Sequence, residues 1–252
     1  MTGLLLRLAG PLQSWGDHST FSTRDTRAYP TRSALIGLIA SALGRRREEP
    51  ISDLTALAFT IRVDRAGAVL RDFHTVGGGL ARDQTVPTAE GSRRGPGQGT
   101  IVSHRYYLTD AAFTVAMTGP QPLVDAIANA LDRPAWAPYL GRRSCPAEAP
   151  LLLQVTPGDP VHALYQSVPM ARPPVTGDTV PVDFVLESPP PGREDASQLT
   201  ANDVPLDFHP HRRRYLSRSL WITRQSLPAD LCVGLGDRYL TALATYLKGA
   251  PA

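Results

Sequence analysis

Apolar and polar positions recur with two different periods along this chain, and the places where the period changes divide it. Leu4 to Ala9 is a short apolar run with one charge, the pattern of a buried strand whose period-2 sets are Leu4/Leu6/Leu8 and Leu5/Arg7/Ala9. Gly10-Pro11 ends it. After Pro30 the period becomes helical: Thr31 is a good N-cap, Leu35, Leu38, Ile39 and Ala42 recur at i, i+3, i+4 and i+7, and Gly44 stops the run. Phe59, Ile61 and Val63 alternate with Thr60, Arg62 and Asp64, which predicts a second strand. Strand character returns over Ile101 to Leu108 and Ala112 to Thr118. Pro122 then opens a helix with Val124, Ile127, Ala128 and Leu131 on one face, closed by Pro134, and Leu151 to Val155 predicts another strand.

From about Arg71 to Ser103 the pattern fails. Seven glycines sit there among charges and threonines, and a stretch that long inside a domain is functional or an arm rather than a plain connection. The order β-α-β-arm-β-α-β fits an α+β, ferredoxin-like unit. Beyond it, Val161 to Val168, Val180 to Leu186 and Tyr215 to Thr223 predict strands of a smaller β-rich domain, separated by Pro189-Pro190-Pro191 and a polar loop. Asp237 to Lys248 predicts a tail helix with Leu240, Leu243, Ala244 and Leu247 on one face.

A chain of 252 residues that is 42% hydrophobic and 19% charged can bury a core, which excludes disorder, and its 21 glycines and 24 prolines lack a collagen period. The longest uncharged apolar stretch, Ser33 to Gly44, is shorter than the roughly 20 residues a membrane span needs, and Arg7 interrupts the apolar start that a signal peptide requires. The expectation is a cytoplasmic chain with no membrane partner. Cys145 and Cys232 stand far apart without CxxC spacing, so no disulfide framework, zinc site or other cofactor is expected.

Net charge is only +3, but 25 of the 26 basic residues are arginine, and they cluster at Arg45-Arg46-Arg47, Arg93-Arg94, Arg142-Arg143 and Arg212-Arg213-Arg214. Guanidinium forks suit phosphate oxygens in a way ammonium groups do not. The segment before the first helix gathers Gln13, Ser14, Trp15, His18, Phe21, Arg24, Arg27 and Tyr29, followed by Arg32 and Ser33 in the first turn. Two readings stay open: donors, rings and a helix N-terminus holding phosphates and an unpaired base, or Trp15 and Phe21 plugging the core while the arginines are solvated. Gly141-Arg142-Arg143-Ser144 has the same ambiguity between a phosphate-binding turn and a tight turn with exposed arginines. Asp17-His18-Ser19 has the residue types of a hydrolase triad, but adjacent residues rarely meet in that geometry. His209-Pro210-His211 lacks a third metal ligand at useful spacing, and Cys145 before Pro146 reads as a small packed side chain.

Four motifs, taken together, carry a resemblance: Leu5 to Gly16 (LLRLAGPLQSWG), Pro30 to Leu38 (PTRSALIGL), Arg71 to Val76 (RDFHTV) and Pro138 to Pro146 (PYLGRRSCP). In this order the chain resembles the CasD family of CRISPR-associated subunits of type I-E Cascade, from about Thr2 to Val155 and more loosely to about Gln225. The resemblance implies a ferredoxin-like, RRM-related RNA-binding domain over 1–155 with a protruding β-hairpin thumb inserted at 71–104. It further implies a small β-rich domain over 156–226; the segment Gly192 to His211 and the helical tail after Pro228, set apart as a helical extension over 227–252, lie beyond the pattern. It implies binding of the repeat-derived 5′ handle of CRISPR RNA at one end of the Cascade backbone, beside the backbone subunit and the large subunit that reads target DNA.

Carried over onto this sequence, the RNA-binding candidates are Gln13, Ser14, Trp15, Arg24, Arg27, Arg32, Ser33, Arg105, Tyr139, Gly141, Arg142, Arg143 and Ser144. The thumb segment is Asp72, Phe73, His74, Thr75 and Val76. Stacked aromatics of the usual RRM signature are missing, so loops and thumb are expected to bind rather than the sheet face. The resemblance implies binding with no bond broken and no catalytic residue or metal. The rival is a metal-independent endoribonuclease that processes precursor RNA, for which His18, Tyr29, His74 and His104 are the available acid–base types. Arg212-Arg213-Arg214 receives no role and reads as a solvated face.

Overall fold

Every side chain of the first strand, β1 (Gly3–Ala9), is buried, so it needs a packed layer on each face. The computed structural model, which describes residues 3–17, 19–20, 22–85, 87–88, 90–95, 99–156, 158–192, 196–209 and 213–249, supplies both. Leu4, Leu6 and Leu8 enter one core and Leu5 and Ala9 the other, the division that period 2 predicts. β8 (Ala112–Thr118) lies antiparallel beside β1 and divides in the same way: Phe113, Val115 and Met117 join the first core, Ala112 and Ala116 the second. β9 (Leu152–Thr156) flanks β1, and β5 (Ala58–Arg65) flanks β8.

Helix α1 (Arg32–Ala42) follows β1, and α2 (Gln121–Asp132) follows β8. Leu35, Leu38 and Ile39 of one and Val124, Ile127 and Leu131 of the other fill the first core. The opposite face is closed by α3 (Pro160–Gln166) and α4 (Gly236–Gly249), whose Leu164, Tyr239 and Leu243 are buried in the second core. The strand expected over Val161 to Val168 is therefore a helix. Its β-branched and aromatic residues suggested a strand, but Pro160 sits in the first turn and the Asp159 carboxylate accepts the Val161 N–H at 2.9 Å. Val161, Leu164 and Val168 then repeat at helical spacing.

The strands expected in the smaller β-rich domain pair onto the edge of the first sheet. β10 (Thr179–Leu186) pairs with β5 from Phe184↔Arg62 to Leu186↔Thr60, and β12 (Arg214–Pro228) runs antiparallel along β10. β11 (Ser197–Asp207) pairs with β12 at the edge, giving the order β11-β12-β10-β5-β8-β1-β9. No periodicity announced β11. As an edge strand it buries only Ala201, Asp203 and Pro205, and its run of Gln198, Thr200, Asn202 and Asp203 reads as loop.

A second sheet carries β2 (Leu12–Gln13), β3 (Ser19–Thr20), β4 (Thr23–Arg24), β6 (Ala68–Val76) and β7 (Ile101–Thr109). β6 and β7 form an antiparallel ribbon from Ala68↔Thr109 to Val76↔Ile101. The irregular stretch predicted from Arg71 thus starts as a strand. It lacks the expected alternation because Val69, Leu70, Phe73 and Val76 are all exposed. Among the described residues no helix is long and apolar enough to cross a membrane.

One buried ion pair ties the two layers together. Arg62, fully buried, meets the Asp64 carboxylate at 2.5 Å and donates to the carbonyls of Leu164 (2.6 Å), Val168 (2.8 Å) and Pro169 (3.2 Å). Thr114 Oγ1 donates to the same carboxylate at 2.5 Å. Every partner lies inside the protein, so removing the guanidinium strands a carboxylate and three carbonyls without water. Arg62→Ala is expected to lower unfolding stability by about 3–5 kcal/mol. Urea denaturation should show Arg62→Met combined with Asp64→Leu costing less than the sum of the single changes.

Candidate nucleic-acid interface

The segment entering α1 is built around a buried amide. Gln13 Nε2 donates to the carbonyls of Ala111 (2.8 Å) and Leu8 (3.3 Å), and its Oε1 accepts the Trp15 indole N–H at 3.1 Å. Both side chains are fully buried, and the Trp15 ring meets Phe113 edge-on with centroids 6.4 Å apart. Gln13 and Trp15 therefore hold the segment in place and present no side-chain atom to a surface ligand. Of the two readings open for this loop, the core plug describes Trp15; Phe21 and His18 lie outside the described residues.

Arg32 is also spent within the fold. Its guanidinium takes both oxygens of Glu187 (2.8 and 2.7 Å) and the carbonyls of Thr55 and Leu57 (3.0 and 2.8 Å). Its backbone N–H donates to Asp203 at 2.7 Å. The helix N-terminus that the sequence offers to a phosphate is thus occupied by an internal carboxylate. Arg218 closes the network, bonding Asp203 at 2.6 and 3.0 Å and lying 3.1 Å from Glu187. Arg27 is paired as well, with Asp17 at 2.9 and 2.5 Å.

The turn at 139–146 is pinned against this segment. Leu140 N–H donates to Cys145 O at 2.8 Å, and Ser14 N–H donates to Leu140 O at 3.0 Å. Gly141 has φ +84, and a Cβ there would lie 1.7 Å from the Ser14 carbonyl oxygen, so only glycine fits. Arg142 acts as a clamp: it donates to the carbonyls of Tyr106 (3.2 Å), Arg24 (3.0 Å) and Asp25 (3.3 Å) and lies 4.7 Å over the Tyr107 ring. Arg143 and Ser144 are exposed. Cys145 is buried, and burial pushes its thiol up, which fits a packed side chain rather than a nucleophile.

These parts line a cleft of about 1280 Å³ between the face of α1 that carries the half-buried Ser33, Ala34 and Gly37, the loop at 136–146 and the β11–β12 hairpin. It gathers the expected Ser14, Arg24, Ser33, Tyr139, Gly141, Arg142 and Arg143. It also gathers residues that sequence reasoning gave no role: Arg46, Arg47, Trp136, Phe208, Arg213 and Tyr215. The arginine runs were visible signals, but nothing in the sequence said that the ends of α1 and β12 meet. Arg45 is held by Asp53 and Arg142 by carbonyls. Among the described residues, Arg24, Arg46, Arg47, Arg143 and Arg213 have no carboxylate partner, and the one acid lining the cleft, Asp17, is taken by Arg27. Five uncompensated guanidinium groups around one concavity focus a positive potential suited to a polyanion.

The remaining candidates lie elsewhere. Arg105 stands opposite Asp72 in the β6–β7 ribbon, and His74 Nδ1 is 3.5 Å from the Asp72 carboxylate. Phe73, 64% exposed, meets the His104 ring edge-on at 5.8 Å, while Thr75 and Val76 are exposed beyond it. Strand alternation puts His74 and Phe73 on opposite faces, so His74 and His104 do not converge, and neither lines the cleft. Burial pushes the Tyr29 phenol up, away from a neutral-pH base. The face of the seven-stranded sheet opposite α1 and α2 is covered by α3 and α4, with Tyr165 stacked on Phe184 at 4.5 Å.

The comparisons with known proteins identify the family. A match to the family described as CRISPR-associated protein (Cas_Cas5) runs over residues 3–220. The CRISPR system Cascade subunit CasD of Escherichia coli (strain K12) is 36% identical over 237 residues, 88% of this chain and 95% of that protein. Among solved structures, a chain of a CRISPR RNA-guided surveillance complex is similar with a TM-score of 0.88 and 48% identity, covering 98% of this chain and 99% of its own. A second, described as a crystal structure of a Cas protein, gives 0.62 at 30% identity over 93% of this chain and 98% of its own. With the family match running from β1 into β12, the chain belongs to the CRISPR-associated Cas5 family.

Proposed function

We propose that the chain is a subunit of a Cascade-type, CRISPR RNA-guided complex and that its arginine-lined cleft grips the 5′ handle of the guide RNA without cutting it. The observation that carries the reading is the convergence of five guanidinium groups lacking carboxylate partners on one cleft among the described residues. Its likeness to a Cascade subunit and to a chain of a surveillance complex supplies the setting. The strand order β5-β8-β1-β9, with helices after β1 and β8, supports a ferredoxin-like core, and the β6–β7 ribbon corresponds to the thumb.

In this mechanism Arg24 and Arg143 meet phosphates in the cleft, with Ser33 and Tyr139 beside them for sugar and base edges, while Ser14, buried and donating its hydroxyl to Tyr106 O at 3.2 Å, supports the turn from beneath. Arg142 keeps the turn closed, and Arg105 and the thumb side chains face the neighbouring backbone subunit and its RNA. Contacts to the large subunit, and through it to target DNA, come with assembly. Binding uses charge, stacking and shape, and needs no bound metal or cofactor.

Arg24→Ala with Arg143→Ala is expected to weaken binding of a single-stranded handle RNA and to lower its log–log salt slope by about 0.7 per lost phosphate contact. An unchanged slope removes that corner from the site. Gly141→Ala changes no charge, yet its Cβ collides with the Ser14 carbonyl. It is expected to weaken the same RNA while the arginine count stays constant, as measured by filter binding at fixed salt. Incubation of the chain with precursor repeat RNA in EDTA is expected to leave the RNA intact; specific scission at the handle boundary overturns the binding-only mechanism.

A further inference from the structure

The cleft does not end at the corner where Arg24 and Arg143 sit. It runs along the face of α1 that carries Ser33, Gly37 and Ser41, about 12 Å at 1.5 Å per residue, past the end of the helix, where Arg46, Arg47 and Trp136 line it, with Arg213 and Tyr215 lining it from the hairpin. Trp136 is 47% exposed and Tyr215 39% exposed, although Trp15 is fully buried. A large ring left half in water on a rigid support is a ready surface for a flat apolar partner.

The support is rigid for identifiable reasons. Trp136 sits in the run Pro134-Ala135-Trp136-Ala137-Pro138, whose prolines restrict the backbone on both sides. Ala135 N–H donates to Ala42 O at 2.9 Å, which fastens the loop to the end of α1. Across the cleft, the β11–β12 hairpin is held to the same helix by the Asp203 bond to Arg32. Phe208 also lies against Gly37, 3.7 Å from where a Cβ would stand. Arg46, Arg47 and Arg213 bring charge with no carboxylate partner among the described residues.

We propose that this outer end is a second nucleotide subsite, in which an unpaired base stacks on Trp136 and the flanking phosphates meet Arg46, Arg47 and Arg213. The subsite rests on the cleft being the RNA-binding surface, and it extends the track to the β11–β12 hairpin. Stacking on a preset ring costs little ordering, and it accepts single strands while excluding the paired bases of a duplex.

The test is a fluorescence titration of the full chain with single-stranded handle RNA, alone and annealed to its complement. Trp136 is the most exposed tryptophan, so RNA is expected to quench the exposed part of the emission. Trp136→Ala is expected to weaken single-strand binding roughly 5- to 150-fold, with an unchanged melting curve. Trp136→Phe should keep most of the affinity and lose the quench. Arg46→Ala with Arg47→Ala should lower the salt slope. Wild-type affinity in Trp136→Ala, with binding still lost in Arg24→Ala/Arg143→Ala, overturns the subsite alone. Unchanged RNA affinity with lost assembly into the complex makes Trp136 a protein contact and also overturns it. A wild-type chain that binds no RNA overturns the handle reading together with the subsite.

Discussion

One wall of the cleft, the β11–β12 hairpin, is locked to α1 by a ring of charges, while the other, the loop at 136–146, is fastened to the end of that helix by a backbone hydrogen bond. Asp203 of β11 caps α1 through Arg32 N–H, Arg32 and Arg218 share Glu187, and Arg218 returns to Asp203. Each carboxylate and each guanidinium faces an opposite charge, so the ring satisfies groups that are costly to bury alone. Without it the hairpin that carries Arg213 and Tyr215 has no fixed position relative to α1. The same ring explains why the α1 N-terminus binds an internal anion rather than an external one.

Ten of the described arginines fall into two physical populations. Arg7, Arg32, Arg62, Arg142 and Arg218 are buried or clamped, with their donors directed at carboxylates and backbone carbonyls. Arg24, Arg46, Arg47, Arg143 and Arg213 line the cleft without such partners. Composition alone cannot separate them, because a guanidinium suits a carbonyl cluster as well as it suits a phosphate. In the pair Arg142-Arg143 one neighbour closes the turn and the other stands in the open.

Where burial imposed a period, the sequence was legible. The two faces of β1, the apolar stripe of α1 and the strand at Ala112–Thr118 follow directly from spacing. The tail helix lies where spacing put it but buries Tyr239 and Leu243, while Leu240 and Ala244 of the expected face are exposed because only the side toward the second core is covered. Where burial was one-sided or absent, it was not. β11 is an edge strand with a polar run, β6 exposes its large apolar residues, and α3 carries strand-like residue types behind a proline. The site was half legible for the same reason. Ser14, Tyr139 and Arg143 were found through local motifs, while Trp136, Arg213 and Tyr215 acquire a shared place only when β12 is laid against β10 and the hairpin folds back over α1.

The sheet is sealed on both sides, by α1 and α2 on one and α3 and α4 on the other. That enclosure separates two kinds of evolutionary freedom. The exposed Arg24, Arg46, Arg47, Arg143 and Arg213 on the rim of the cleft sit at element ends and in turns, outside both interiors, so they can be exchanged with little penalty to folding. On the proposed handle-binding reading, such a scaffold follows a drifting RNA sequence by rim substitutions alone, whereas one that bound through its central strands would have to repack its interior at each step.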